Sequence, residues 1–244
     1  MNKLLLMSAG FFILLLGSCK KDDPTPADEE EVRTTAVFNP DVTYGTMTDQ
    51  DGNDYKTITI GTQTWMAENL RTTTYNDGTP IPNVQGDAEW AALTSGAYSV
   101  FQNKTDESFI ATYGFLYNFY AIDTGKLAPA GWHVPTDAEW STLLNSVGGS
   151  ATAGKKLKEA GTAHWVSYAL EATNEFGFTA LPGENRGANG LFTSGVGVNA
   201  EFWTATPYTT PGWAYLWYLK SGNDEASRIS LSVERGASVR LVKD

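Results

Sequence analysis

The only cysteine in the chain is Cys19, and it stands directly behind an apolar stretch near the N-terminus. One cysteine closes no intrachain disulfide. With only two histidines beside it, His133 and His164, a zinc cluster or a Cys–His nucleophile pair is very hard to assemble. The rest of the chain must therefore hold itself together by packing, and it has the means. From Tyr44 to Asp244, about 200 residues, it carries 27 of the 30 aromatic side chains, and a segment of that length buries a sizeable core without cross-links. No second linker interrupts it and no block repeats at a fixed period, so one domain is expected over residues 44–244. The net charge of -11 removes the basic surface on which nucleic-acid affinity rests, and nucleic acid is not expected as a partner.

The N-terminus has the layout of an export signal. Lys3 precedes the apolar run Leu4 to Leu16, which falls short of the roughly 20 residues that span a bilayer core. The run ends in Leu16-Gly17-Ser18-Cys19, which resembles the lipobox of bacterial lipoproteins. Residues 1–18 are thus expected to be a lipoprotein signal peptide and Cys19 the mature N-terminus. On this reading its sulfur carries diacylglycerol and its amino group a third acyl chain. At about 0.8 kcal/mol per buried CH₂, several chains anchor the protein durably to a membrane. Lys20-Lys21-Asp22-Asp23 is similar to the charged signal that sends lipoproteins of Bacteroidetes to the cell surface, although a solvated start to a tether reads the same way. Residues 19–43 are acidic and contain proline, with Asp28 to Glu31 a run of four acids, and they read as a flexible stalk.

Within the domain, Asp51-Gly52-Asn53 is a turn signal ahead of the alternating Tyr55 to Ile60, which predicts an N-terminal hairpin. Pro135 precedes a capping box formed by Thr136 and Glu139, and Trp140, Leu143, Leu144 and Val147 fall on one helical stripe that Gly148-Gly149 ends. A second helix is expected over roughly Thr152 to Ala160, with Lys155, Lys156 and Lys158 toward solvent. Strands are expected at Phe176 to Leu181, Glu201 to Thr206, Trp213 to Lys220, Ile229 to Val233 and Ser238 to Val242. The fold class is α+β, with a few helices early and an antiparallel sheet late.

Six segments in order carry a family resemblance. They are Trp65-Met66-Ala67-Glu68-Asn69-Leu70, Tyr113 to Asn118, Gly131 to Trp140, Phe176 to Gly183, Phe202 to Thr206 and Ser238 to Val242. Together, from about Asp49 to Asp244, the chain resembles the Fibrobacter succinogenes major paralogous domain of surface lipoproteins. The resemblance implies a C-type-lectin-like fold related to sulfatase-modifying domains, and no established reaction. The cysteine pair of the formylglycine-generating enzymes is missing here. So are the Glu-Pro-Asn and Trp-Asn-Asp tripeptides with which sugar-binding C-type lectins hold calcium.

The residues leave several chemistries to weigh. Glycoside hydrolysis needs two facing carboxylates. Glu171, Glu175, Glu184 and Glu201 are candidates, but a chain with fourteen glutamates supplies such pairs by chance. His133 and His164 show no spaced partner and read as packing or hydrogen-bonding residues. Calcium has a weak candidate in Asp49 to Asp54, where a hairpin turn explains the same residues, and a weaker one in Asn185, Asn189, Asn223 and Asp224. No cofactor is expected, and calcium has no supporting motif. The most suggestive set is aromatic. Trp213, Tyr215 and Trp217 alternate, so on a strand they share one face, able to stack on sugar rings, and Glu184, Asn185 and Arg186 supply a neighbouring polar loop. A sheet face packed on the Trp140 helix accounts for the same pattern. The expectation is a surface-exposed outer-membrane lipoprotein acting as a non-catalytic module for glycan binding or adhesion. A structural partner of another envelope protein comes second and an uncharacterised hydrolase third. Replacing Cys19 with Ala is expected to move the protein from the membrane to the soluble fraction on cell fractionation, and unchanged retention refutes lipidation.

Overall fold

A computed structural model of the chain describes residues 34–166, 171–193 and 196–244. The expected signal segment, Cys19 and the first part of the expected stalk lie outside the described residues. Residues 34–43, expected as the end of that stalk, lie against the domain instead. The Thr35 amide donates to Thr112 Oγ1 at 2.9 Å, the Val37 amide donates to a carboxylate oxygen of Glu159 at 2.6 Å, and Asn39 donates to the Asn174 carbonyl at 2.9 Å. Satisfied backbone donors and the packing of Phe38 on Tyr44 make this segment part of the fold.

The hairpin stands where the turn signal places it. Strands β1 (Gly45–Thr48) and β2 (Asp54–Ile60) pair antiparallel, with Met47 opposite Tyr55. Gly52 takes the left-handed φ of 84° that the turn requires. β3 (Gln63–Met66) continues the sheet, with Ile58 opposite Trp65. Short pieces follow: α1 (Asp87–Ala91), β4 (Tyr98–Ser99), a 3₁₀ turn (Phe101–Asn103), α2 (Glu107–Tyr113), β5 (Leu116–Tyr117), α3 (Phe119–Asp123) and β6 (Trp132–His133). Then come helix α4 (Asp137–Ser146), helix α5 (Ser150–Leu157), the meander β7 (Asn199–Pro207), β8 (Trp213–Lys220) and β9 (Ala226–Ser232), and finally β10 (Val242–Lys243). The meander is the expected late antiparallel sheet. A larger sheet, ordered β1-β2-β3-β10-β6, also draws the end of the chain in beside its beginning.

Helix α4 forms for the reasons its sequence states. Thr136 and Glu139 make the reciprocal capping box, and Trp140, Leu143 and Leu144 are buried on one stripe. That stripe meets an aromatic cluster in which Trp140 lies 5.0 Å from Trp65, 5.8 Å from Phe178 and 5.5 Å from Phe202. Each such side chain contributes about 1.5–3 kcal/mol by leaving water. A second cluster, which includes Met66, Leu70, Tyr117, Phe119, Trp203 and Leu216, packs on the opposite face of the meander.

Three expected elements are corrected. α5 starts two residues earlier than expected and stops at Leu157, because Lys158 is extended and bridges to Ala180. Its side chain is buried rather than solvated, and its ammonium donates to the carbonyls of Lys220 and Asn223 at 2.9 and 2.8 Å. Phe176 to Leu181 is no strand, since Asn174 and Thr179 both adopt left-handed backbone and the Asn174 side chain accepts from the Thr179 amide at 2.8 Å. Ser238 to Val242 keeps only Val242 in a strand, because the stretch feeds Arg240 inward to hydrogen-bond partners.

Two buried guanidinium groups fasten distant segments of the domain to one another. Arg240 is fully buried and donates to Asn69 Oδ1 at 2.9 Å, to the Thr179 carbonyl at 2.8 Å and to the Phe178 carbonyl, with the Phe178 ring 4.4 Å away. Arg186, equally buried, donates to the carbonyls of Gly190, Val84 and Gln85 and to Asp87, sandwiched between Trp90 and Phe192 at 4.6 Å each. Arg240 fastens segments 61 to 171 residues away in sequence, and Arg186 fastens one about a hundred residues away. Removing a buried, paired charge costs about 3–5 kcal/mol. Arg240→Ala is therefore expected to lower the unfolding free energy obtained from urea titration by that amount, and an unchanged value contradicts the assignment.

Candidate functional site

On β8 the residues alternate as the sequence predicts, but one face runs from buried to exposed. Ala214 and Leu216 point into the core on one side. On the other, Leu219 is inaccessible, Trp217 is 8 % exposed, Tyr215 is half-buried and Trp213 is 42 % exposed. The cause is helix α4, which covers the sheet only as far as its first turn. There Asp137 accepts from the Trp217 indole at 3.0 Å and from the Arg228 guanidinium at 2.6 Å, while its own amide donates to Thr206 Oγ1. Past that point the row emerges. Tyr208 meets Tyr215 edge-on at 5.1 Å, Arg228 lies 4.7 Å over the Tyr215 ring, and register sets Ser230 opposite Tyr215 and Ser232 opposite Trp213. The result is an aromatic surface with a cation and hydroxyls at its border, suited to stacking on an apolar ring face while hydrogen-bonding its rim.

The structure does not bring Glu184, Asn185 and Arg186 to this surface. All three are at most 1 % exposed. Glu184 accepts from the amides of Val198 and Asn199 at 2.9 and 3.1 Å, and burial raises its pKa. Asn185 donates to Glu201 at 2.8 Å, and Arg186 is one of the two internal fasteners. The expectation of a solvent-facing polar loop is thus corrected, because the loop crosses the inside of the domain: Glu184 and Arg186 bond backbone groups there, while Asn185 reaches the Glu201 carboxylate through Nδ2 and its Oδ1 has no partner among the described residues. Trp217 likewise belongs to the core edge, leaving Trp213 and Tyr215 as the accessible part of the row.

Tyr208, Arg228 and Asp137 escaped the sequence reading. The only available signal was register: a β8–β9 hairpin turning at Ser221 to Glu225 sets Arg228 opposite Trp217.

The other candidates are tied into structure. Asp49 accepts from Asn53, Tyr55 and the Asp51 amide, and Asp51 accepts from Thr72, Thr73 and Thr74, so the acidic turn is cross-bound by its own neighbours. Among the described residues no group of three or more His, Cys, Asp or Glu side chains is placed to hold a metal ion. Glu201 takes Arg235 in a two-pronged pair at 2.8 and 2.9 Å, and Glu171 pairs with Lys155. The buried Glu159 holds His164 Nδ1 at 2.8 Å, and His164 Nε2 meets Thr35 Oγ1 at 2.9 Å. That hydroxyl also bonds Thr112 Oγ1 at 3.0 Å, so the chain of groups latches residues 34–38 to the domain.

The described residues form an α+β domain with one exposed aromatic edge, and no helix among them is long and apolar enough to cross a membrane. The chain belongs to the Fibrobacter succinogenes major domain family, whose pattern matches residues 58–243. No curated protein and no solved structure matches the chain.

His133 joins two elements of the larger sheet to α4. Its Nδ1 lies 2.6 Å from Asp244 and its Nε2 2.7 Å from Glu139. Partial burial pulls its pKa down, but the two carboxylate hydrogen bonds together raise it above the ordinary 6.5. The stability that comes from protonated His133 is therefore fully present below about pH 6.5, while its carboxylate partners stay ionised, and is lost as pH rises through the raised pKa. Glu139 shifts the other way: burial raises its pKa, yet its hydrogen bonds from Thr136 and His133 lower it overall, so its contribution persists above about pH 4.5 and is lost as acid protonates it. Thermal midpoints of the chain and of His133→Gln are expected to differ most between about pH 4.5 and 6.5 and to converge in alkaline buffer. A gap that widens with pH refutes the arrangement.

Proposed function

We propose that this chain is an outer-membrane lipoprotein, displayed at the cell surface by the lipid on Cys19, whose domain is a non-catalytic binding module for glycans or adhesion. The observation that carries the proposal is Trp213. A folding chain gains by burying tryptophan, yet this one stands 42 % exposed at the end of a row whose other members are progressively covered. Covering the exposed part of such a ring with a sugar face contributes about 1 kcal/mol, and Arg228 and the serines of β9 add hydrogen bonds at the rim. The finer fold reading, a C-type-lectin-like domain, belongs to the same proposal and is supported by the six ordered motifs. A role without catalysis is supported by the histidines and the carboxylates of Glu171 and Glu201 being engaged with structural partners.

A second reading, assembly with another envelope protein, has its own observation. β9 is an edge of the three-stranded sheet and carries Ile229, 41 % exposed, beside Arg228. Edge strands accept a further strand by main-chain pairing.

An array of plant, host and microbial polysaccharides probed with the full chain in a sugar-free detergent separates the two. Binding that falls about fivefold, or about 1 kcal/mol, in Trp213→Ala supports the glycan module. Trp217→Ala is expected to act mainly on stability, lowering the unfolding midpoint. A silent array, with the chain recovered in a stoichiometric complex from its own envelope, transfers the function to assembly.

A further inference from the structure

A cavity of about 290 Å³ opens between the 3₁₀ turn Phe101–Asn103, helix α2 and the segment around Gln85. It is remote in sequence from the β8 face, and nothing in the preceding reading uses it. Its inner wall contains Tyr98 and Phe115, both largely buried, with rings stacked at 4.5 Å and 24°. Its polar wall contains three amide side chains, Asn83, Gln85 and Asn103.

Two local features at this wall oppose folding. Gln102 and Asn103 are successive non-glycine residues in left-handed backbone, at φ 51° and 53°. Such a conformation is unfavourable for an L-residue by roughly 1–2 kcal/mol, and asparagine relieves it better than glutamine does. Asn103 Nδ2 donates to the Gln85 carbonyl at 3.2 Å, but its Oδ1 is buried with no hydrogen-bond partner among the described residues. Backbone strain and an unsatisfied acceptor coincide at the mouth of a cavity. A folded protein keeps such features where the surroundings over-determine them, and they concentrate at ligand clamps.

The lining specifies the ligand. Lys104 and Glu107 bring one charge of each sign, so the site carries no net charge to attract an ion. The amides of Asn83 and Gln85 offer both donors and acceptors, and Asn103 holds the Gln85 backbone in place. The aromatic wall calls for an apolar ring face. The volume lies at the lower end of the roughly 300–1,000 Å³ of small-molecule sites, which favours one ring over an extended chain. We propose that this cavity binds a single uncharged sugar residue of a glycan, with the amide side chains of Asn83 and Gln85 hydrogen-bonding its hydroxyls and the Tyr98–Phe115 wall facing the ring. The inference rests on the domain being a glycan-binding module and adds to it a site separate from Trp213.

The test uses the full chain in sugar-free detergent on an array of neutral, sulfated and uronic-acid oligosaccharides. Four forms are compared: unmodified, Gln85→Ala, Asn103→Ala and Trp213→Ala. Gln85 is exposed, so its substitution leaves the fold intact even if Asn103→Ala proves unstable. The expected result is binding confined to neutral glycans that weakens at least tenfold in Gln85→Ala and Asn103→Ala, with Gln85→Ala melting at the unmodified temperature. Binding only to charged glycans overturns the ligand class. Binding lost in Trp213→Ala but untouched by both amide substitutions overturns the cavity while leaving the glycan module standing. A silent array overturns both.

Discussion

The domain depends on two buried arginines. A chain with no disulfide, and without a regular element running through most of its middle, has to fasten long irregular segments by other means. Arg240 and Arg186 do so with planar groups whose donors are turned onto backbone carbonyls and whose faces lie against aromatic rings. Those carbonyls are left over from loops, and each would be costly to bury unpaired. Burial presses on both guanidinium groups and lowers their pKa, and the acids nearby, Glu68 for Arg240 and Asp87 for Arg186, act against it. Lys158 repeats the device on a smaller scale, an inward ammonium capping the carbonyls of the β8–β9 turn.

This scaffold determines where functional surface remains. The meander is packed on both sides, on one by the cluster around Trp203 and Leu216 and on the other by α4. Only where α4 begins does the second face come free, and the position of the Thr136 cap decides how much of the aromatic row is exposed. Asp137, the first residue past that cap, ties the helix to both Trp217 and Arg228, so one carboxylate fixes the boundary between core and surface. The cavity beside Asn103 arises differently, from short elements that leave room between them. A fold made of brief helices and two-residue strands has more such gaps than one made of long regular elements.

Much of this was legible in the sequence where the causes are local. The capping box and apolar stripe of α4, the Asp51-Gly52-Asn53 turn and the strand from Trp213 to Lys220 each depend on residues within a few positions of one another. The failures share a cause as well. Phe176 to Leu181 has the composition of a strand, yet Asn174 bonds back to Thr179 and Arg240 claims the carbonyls of Phe178 and Thr179. Lys158 reads as solvated because the helix expected to reach Ala160 stops at Leu157, and the carbonyls it caps lie more than sixty residues away. Glu184, Asn185 and Arg186 read as a polar surface loop by composition, whereas their partners come from residues 84–87, 190 and 198–201.

By itself the sequence determined the family, the α+β class and the period of the regular elements, because these follow from side chains close to one another along the chain. Only the tertiary structure decided which polar residues face inward, how far the aromatic row is covered, and that Asn103 is left with an unpaired oxygen beside a cavity. Burial and hydrogen-bond satisfaction are set by partners distant along the chain, and no local pattern of residue types encodes who those partners are.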